Sequence, residues 1–489
     1  ALALAATCAA QAQTLRIGLA EDPDVLDPTL ARSFVGRIVF SALCDKLFDI
    51  DDKLNPVPQL ATSFQWAADN KSLTIKLRSG VSFHDGEKFD AAAVKFNIDR
   101  HKNLAGSNRR GELAPVTTVD VIDDLTARIN LSAPFSPLLT VLADRAGMMV
   151  SPKAAQANPT GFGAKPVCSG PFKFTERVAQ DRIVLERFPN YWNKSQIHFD
   201  KVVYLPIVDA TVRLANLRSG QLDLIERVAP SDVASIKKDA KLSMARITEL
   251  GYQGITINTR KGDGKNPLAQ DRRVREAFEL SLDRAGIVQV AMDGEATPGN
   301  QWVPPSNQFY AKNVPMPKRD IARAKALLKE AGIPNPTFTL MTPTTSDGQR
   351  VAQVVQAMAK DAGFNVKIQS TEFATSLNLA DKGQFDAYVL AWSGRADPDG
   401  NLFSFYGCKQ PLNYSGECRP LWDDLLNRSR NTLDTSGRIK VFATLAAEAA
   451  QEIPIVYLYH RNWLWAYNKK LSGLKTIPDG LIRVQGVKM

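Results

Sequence analysis

Gly383-Gln384-Phe385-Asp386-Ala387-Tyr388-Val389-Leu390-Ala391-Trp392-Ser393-Gly394-Arg395-Ala396-Asp397-Pro398-Asp399-Gly400 reads as a buried strand that stops abruptly in a loop punctuated by glycine and proline. The loop carries an aromatic ring, one arginine and two carboxylates. Loops at strand ends are where α/β proteins place ligand groups on a rigid base. The residues just before the strand matter as much. Thr375-Ser376-Leu377-Asn378-Leu379-Ala380-Asp381-Lys382 has helical character, Gly383 stands where a helix takes its C-terminal cap, and Gln384-Phe385-Asp386 opens the strand. The same order occurs far upstream: an amphipathic helix over 211–219, Gly220 as its cap, then Gln221-Leu222-Asp223-Leu224-Ile225. Two such units point to two lobes of similar α/β design, each supplying strand-end loops to a shared cleft.

Length agrees, since 489 residues exceed what one core usually supports. Between the two units, the polar, glycine-rich stretch 259–267 reads as a hinge or linker. Strands are expected at 15–19, 73–77, 125–131 and 364–368, and helices at 91–102, 271–290, 320–331 and 351–362. The net charge is +10, but basic residues occur singly or as pairs such as Arg109-Arg110, Lys237-Lys238 and Arg272-Arg273. With no basic run and no basic stretch interleaved with aromatics, the pattern reads as a well-solvated basic surface rather than a nucleic-acid site. An attraction for anionic ligands or lipid surfaces remains open.

Residues 1–12 are small and apolar, and Ala10-Gln11-Ala12 has the small-x-small form a signal peptidase accepts. A signal remnant cleaved after Ala12 is therefore expected. Cys8 as a lipid anchor is the alternative, which Thr7 before it fits poorly. No later stretch approaches the roughly 18 apolar residues of a membrane span, so the mature protein reads as exported and soluble. Export favours disulfides. Cys44, Cys168, Cys408 and Cys418 allow three connectivities. The short loop between Cys408 and Cys418, with Pro411 and Gly416, favours a local pair and leaves Cys44 with Cys168. Four buried free thiols are the alternative.

A search for catalytic chemistry finds none. The four histidines, at 84, 101, 198 and 460, show no HExxH spacing, and no nucleophile elbow GxSxG is present. Gly262-Asp263-Gly264-Lys265 lacks the spacer and the Ser/Thr of a phosphate loop. Asp397-Pro398-Asp399-Gly400-Asn401 lacks the terminal Glu of an EF-hand loop and contains a proline. His84 beside Asp85 reads as a turn residue. No Cys/His pattern suggests zinc, and no cofactor is expected.

Several blocks, in order, resemble the peptide/nickel-type (family 5) solute-binding proteins of bacterial ABC importers. Leu26-Asp27-Pro28 comes first. Leu77-Arg78-Ser79-Gly80-Val81-Ser82-Phe83-His84-Asp85-Gly86 follows, with Phe89, Val94 and Arg100; Ala93 departs from the acidic residue usual there. Then come Ser169-Gly170-Pro171-Phe172-Lys173-Phe174, Asn190-Tyr191-Trp192, Asp271-Arg272-Arg273-Val274-Arg275-Glu276-Ala277 and Ser281-Leu282-Asp283-Arg284. The resemblance implies an α/β, bilobed periplasmic-binding-protein fold of type II, in the large class with an extra subdomain. Lobe I would comprise 13–45, 167–260 and 470–489, the inserted subdomain 46–166, and lobe II 261–469, with two crossing segments as hinge. Cys44 and Cys168 would then mark the two ends of the insert, which also favours their pairing. The resemblance further implies a periplasmic monomer that encloses a small solute or peptide and docks on a permease with its ATPase subunits at the inner membrane.

In peptide-binding relatives the loop after the Trp-containing strand supplies an acidic residue that pairs with the ligand ammonium. The comparable place here holds Arg395, next to Trp392, Gly394 and Asp397. After Leu26-Asp27-Pro28, Arg32 stands where oligopeptide binders keep a pocket glutamate, accompanied by Ser33 and Phe34. Arg109 would be a third arginine near the mouth. A guanidinium suits carboxylate or phosphate, so the expected ligand carries an anionic group: opine-like, sugar-phosphate or acidic peptide-derived. The alternative for Arg395 is an internal ion pair with Asp397 or Asp399. Tyr252 and Gln253 are weaker pocket candidates that core packing would explain as well. Two other functions stand beside this one: a conventional di- or oligopeptide binder without the acidic amine anchor, and a secreted hydrolase of a small ester or amide.

Overall fold

The computed structural model describes residues 13–260, 262 and 264–489. The expected signal remnant, its cleavage site and Cys8 lie outside the described residues, as do Lys261 and Asp263 of the 259–267 stretch. One strand organises the molecule. Ile455–Asn468 is 14 residues long and rich in branched and aromatic side chains. Its first half pairs antiparallel with Tyr252–Ile257 and Ala296–Pro298. Its second half pairs antiparallel with Leu242–Thr248 and Leu224–Ile225.

On one side of this spine the sheet continues through Tyr252–Ile257, Ala387–Trp392, Thr337–Pro343 and Asn365–Thr371. On the other it continues through Leu224–Ile225, Thr14–Leu19, Lys201–Pro206, Arg182–Arg187 and Phe172–Val178. Each side contains a parallel core: Thr14–Leu19 runs parallel to both its neighbours, and so does Thr337–Pro343. The result is a bilobed α/β fold whose lobes share one continuous strand. Between Thr248 and Tyr252, and again at His460–Asn462, the chain passes from one side to the other.

The repeated sequence unit has one structural meaning. Helices Ala210–Arg218 and Phe373–Asp381 are followed by Gly220 and Gly383, both at positive φ (79° and 67°). The aspartate of each unit then accepts from the third backbone amide of the adjacent parallel strand. Arg16 N donates to Asp223 Oδ2 and Thr339 N to Asp386 Oδ2, each at 2.8 Å. The Gln-apolar-Asp pattern thus fixes the register of a parallel pair in each lobe.

Residues between Cys44 and Cys168 form a unit with its own core, around Leu73, Ile75, Phe83, Val94, Ile129 and Phe135. It contains an antiparallel sheet of Ala61–Trp66, Ser72–Leu77, Thr126–Leu131 and Val116–Asp123, covered by helix Ala91–Asn103. The disulfide Cys44–Cys168 ties its two ends together, and Cys408–Cys418 closes a local loop. One expected element differs. The stretch 271–290 forms two helices, Arg272–Leu280 and Arg284–Met292, because Asp283 accepts from Ala285 N and starts a new helix. Among the described residues no helix is long and apolar enough to cross a membrane.

Candidate functional site

The loop after Ala387–Trp392 is pinned to the chain crossing by backbone contact. Gly394 has φ of 80°, and a Cβ there would lie 2.3 Å from Gly251 N. A Cβ on Gly251 would lie 1.7 Å from Trp392 O, so only two glycines let these backbones meet. Fully buried Asn401 completes the attachment. Its Oδ1 accepts from Trp392 Nε1 (2.9 Å) and Arg395 N (2.8 Å), while its Nδ2 donates to Leu250 O (3.2 Å). Loop and crossing are therefore held together by backbone contact and by Asn401.

Arg395 lies with its guanidinium carbon 4.5 Å from the Trp392 ring centroid. Asp397 and Asp399 are not its partners. Asp397 is held by Arg438 through two bonds of 2.6 Å, and Asp399 by Arg430 at 2.6 and 2.9 Å. Arg395 instead reaches the unit between Cys44 and Cys168, its Nε 3.2 Å from Asp144 Oδ2. Arg37 Nε donates to Asp144 Oδ1 (3.1 Å), while Arg37 Nη2, 3.0 Å from Oδ2, and Arg145 Nε, 3.9 Å from Oδ1, face the carboxylate as ion pairs and leave Oδ2 without a hydrogen bond. Arg145 and Arg109 both donate to Ala31 O, at 2.8 and 3.2 Å, and Arg109 Nη1 pairs with Glu112 at 2.5 Å.

Four arginines from three separate parts of the chain thus surround one buried carboxylate. Burial alone would raise the Asp144 carboxyl, but Arg37, Arg395, Arg145 and Arg109 hold it well below its ordinary value. Burial, followed by the charge of Arg109, pushes the Arg145 guanidinium well below its usual range. Burial lowers Arg395 to about 10 against the opposing pull of Asp144. Arg37 Nη1, Arg109 Nε and Arg145 Nε are buried without a hydrogen-bond partner. The arrangement can accept an anion; it holds no nucleophile–base pair. Burial also lowers His101, which feels the charge of Arg109, to about 3, so its ring is neutral.

The other sequence candidates fall in different surroundings. Arg32 is exposed, its Nε 3.1 Å from Asn108 Oδ1 and its backbone amide held by Asp24. Ser33 caps helix Phe34–Leu43 and bonds Asp24 Oδ1 at 2.8 Å. Phe34 stacks on Trp463, with centroids 4.4 Å apart and planes 6° from parallel, and Arg227 sits 5.2 Å from the Phe34 centroid. Tyr252 is buried in the core, edge-on to Phe405 and Tyr457. Gln253 belongs to the crossing, donating to Glu249 Oε1 (3.0 Å) and accepting from Arg461 Nη2 (3.2 Å). Arg395, Trp392, Gly394 and Arg109 are brought to one place, joined by Arg37, Asp144 and Arg145, which sequence reasoning did not single out. Separately, a cavity of about 640 Å³ opens beside the C-terminal segment, lined by residues such as Gln59, Trp192, Lys475 and Arg483.

Comparison with known proteins agrees with this architecture. The glutathione-binding protein GsiB of Escherichia coli K12 is 28% identical over 492 aligned positions, covering 98% of this chain and 95% of GsiB. The structure of AgaA from A. tumefaciens R10, in complex with agropinic acid, superposes with a TM-score of 0.86 at 27% identity, covering 97% of this chain and 98% of AgaA. The dipeptide-binding protein of Pseudoalteromonas sp. SM9913, in complex with Met-Leu, shares the fold at a TM-score of 0.88 and 21% identity, covering 97% of this chain and all of that one. The family model for bacterial extracellular solute-binding proteins, family 5, matches residues 55–413, and with the bilobed fold around it this chain belongs to that family.

Proposed function

We propose that this protein is a non-catalytic receptor, acting as a monomer in the periplasm, that closes on a peptide-like or other small solute bearing an anionic group and delivers it to an ABC permease with its ATPases. The observation that carries the ligand class is the arginine cluster at the junction of the lobes. Arg37 belongs to the first lobe, Arg109 and Arg145 to the insert, and Arg395 to the second lobe. A carboxylate placed among them would be held from both sides, so binding and closure would be coupled. Glutathione and agropinic acid, named for two relatives, are both carboxylic acids.

The same reading assigns the hinge to Glu249–Gly251 and His460–Asn462. This puts Tyr252–Ile257 in the second lobe and Trp463–Asn468 in the first, a shift from boundaries at 260 and 469. Support comes from the strand partners, which change sides there. The contacts of Ser136 support closure of the insert on the second lobe: its amide donates to Arg430 O at 2.8 Å and its hydroxyl to Ser429 O at 3.1 Å. Arg395 and Arg109 act as ligand groups, Trp392 and Phe34 as aromatic walls, and Arg32 and Ser33 line the entrance. Gly394, Asp397, Tyr252 and Gln253 hold the loop and hinge in place.

Mass spectrometry of solute released on unfolding the purified protein tests the ligand class. A compound with a carboxylate or phosphate is expected. Recovery of only neutral or cationic solutes would refute it.

A further inference from the structure

We infer that the solute places two negative charges against the arginine cluster, so that dianions are preferred over monoanions; this rests on the reading of that cluster as the anionic anchor. The charged groups that face one another here do not balance. Arg37, Arg395 and Arg145 lie 3.0, 3.2 and 3.9 Å from Asp144 oxygens, and Arg109, which shares the Ala31 carbonyl with Arg145, pairs with Glu112 at 2.5 Å. Four positive charges therefore meet two negative ones. The groups around His101, beside Arg109, do not change this balance. His101 is neutral, and Arg100 and Asp27 neutralise each other through bonds of 2.9 and 2.6 Å.

The existing carboxylates are already paired in charge. Asp144 serves Arg37 and Arg395, while Glu112 serves Arg109. Three buried guanidinium nitrogens, on Arg37, Arg109 and Arg145, have no hydrogen-bond acceptor, against a single acceptor without a donor, Asp144 Oδ2. An excess of buried charge and unmet donors is unfavourable until something supplies both charge and oxygen atoms. A single carboxylate brings one charge and two oxygens, which leaves the cluster one charge short. Two carboxylates, or one phosphate monoester, bring two charges and at least three acceptors, matching both counts. Because Arg395 comes from the second lobe, opening would part it from Asp144 and leave the other three arginines facing the entering solute.

Calorimetry on the intact wild-type protein tests this with pairs that differ by one charge and little else. The pairs are glutarate and its monoamide, Ala-Glu and Ala-Gln, and glycerol 3-phosphate and its methyl ester. The dianionic head of at least one pair is expected to bind tenfold or more tighter than its partner, and which pair responds separates dicarboxylate from phosphate. Arg145→Met, which removes one buried charge while keeping an apolar stem, should erase that preference. Pair members of equal affinity, or a preference unchanged in Arg145→Met, would overturn the two-charge inference and leave the anionic anchor standing. Failure of every anion to bind beside tight binding of a neutral peptide amide would overturn both.

Discussion

Replacing Asp144 with asparagine keeps the shape of the side chain and removes the charge on which Arg37 and Arg395 converge. In the native protein its carboxylate lies 3.0 Å from Arg37 Nη2 and 3.2 Å from Arg395 Nε, and the Arg37 and Arg395 side chains are only 6% and 16% exposed. Solvent cannot take over as counter-ion at such a place. Breaking a buried pair by removing one partner costs about 3–5 kcal/mol, because the other partner's charge stays behind. Here three further guanidiniums add to it, so the upper part of that range is expected for Asp144→Asn. The sign of the pH dependence follows from the lowered carboxyl. A group whose folded value lies below its unfolded value of about 3.9 contributes its full stabilisation above that value and loses it as pH falls through the folded one. The difference between wild type and Asp144→Asn in urea unfolding should therefore stay constant from pH 5 to 8 and shrink in strong acid. A cost below about 1 kcal/mol, typical of solvent-exposed pairs, or a difference that widens on acidification, would refute the buried counter-ion.

Three further outcomes follow from the same geometry. The disulfides span 124 and 10 residues; on the chain-entropy account, losing Cys44–Cys168 should cost about 5 kcal/mol and losing Cys408–Cys418 about 2.7 kcal/mol, readable as denaturant midpoints of the paired Cys→Ser variants. Asn401→Leu leaves Trp392 Nε1, Arg395 N and Leu250 O without their partner, so unfolding free energy should fall by about 1–3 kcal/mol and solute affinity should fall with it; unchanged affinity would mean the loop is positioned by something else. Affinity for a carboxylate probe should be flat from pH 5 to 8, because burial lowers His84 and His460 to about 4 and His101 to about 3; a transition near pH 6.5 in a pH series of calorimetric titrations would contradict this.

The parts of the fold written in local signals were legible in the sequence. Gly220 and Gly383 as caps, and the Gln-apolar-Asp openings, are short-range chemistry, and they led directly to two related α/β lobes. The cysteine spacing worked for the same reason, since a ten-residue loop strongly limits its partner. The helix expected over 271–290 missed its break because apolar periodicity outweighed Asp283 as a start signal. The site was legible only in part. Arg395 stood out within its own loop, but its alternative partners were sought among neighbours in sequence. Asp397 and Asp399 are instead taken by Arg438 and Arg430, 41 and 31 residues on. Arg37 and Asp144 are 107 residues apart in chain order, and neither lies in a motif. No periodicity or spacing announces a pair between residues so far apart in the chain.

The most direct test of the anionic anchor is calorimetry of a carboxylate probe such as glutarate with wild-type protein and with Arg395→Ala, whose fold is checked by circular dichroism. Loss of one charge-assisted contact worth about 2–3 kcal/mol predicts binding roughly 30- to 150-fold weaker in the variant. Equal affinity in the two proteins would contradict the account.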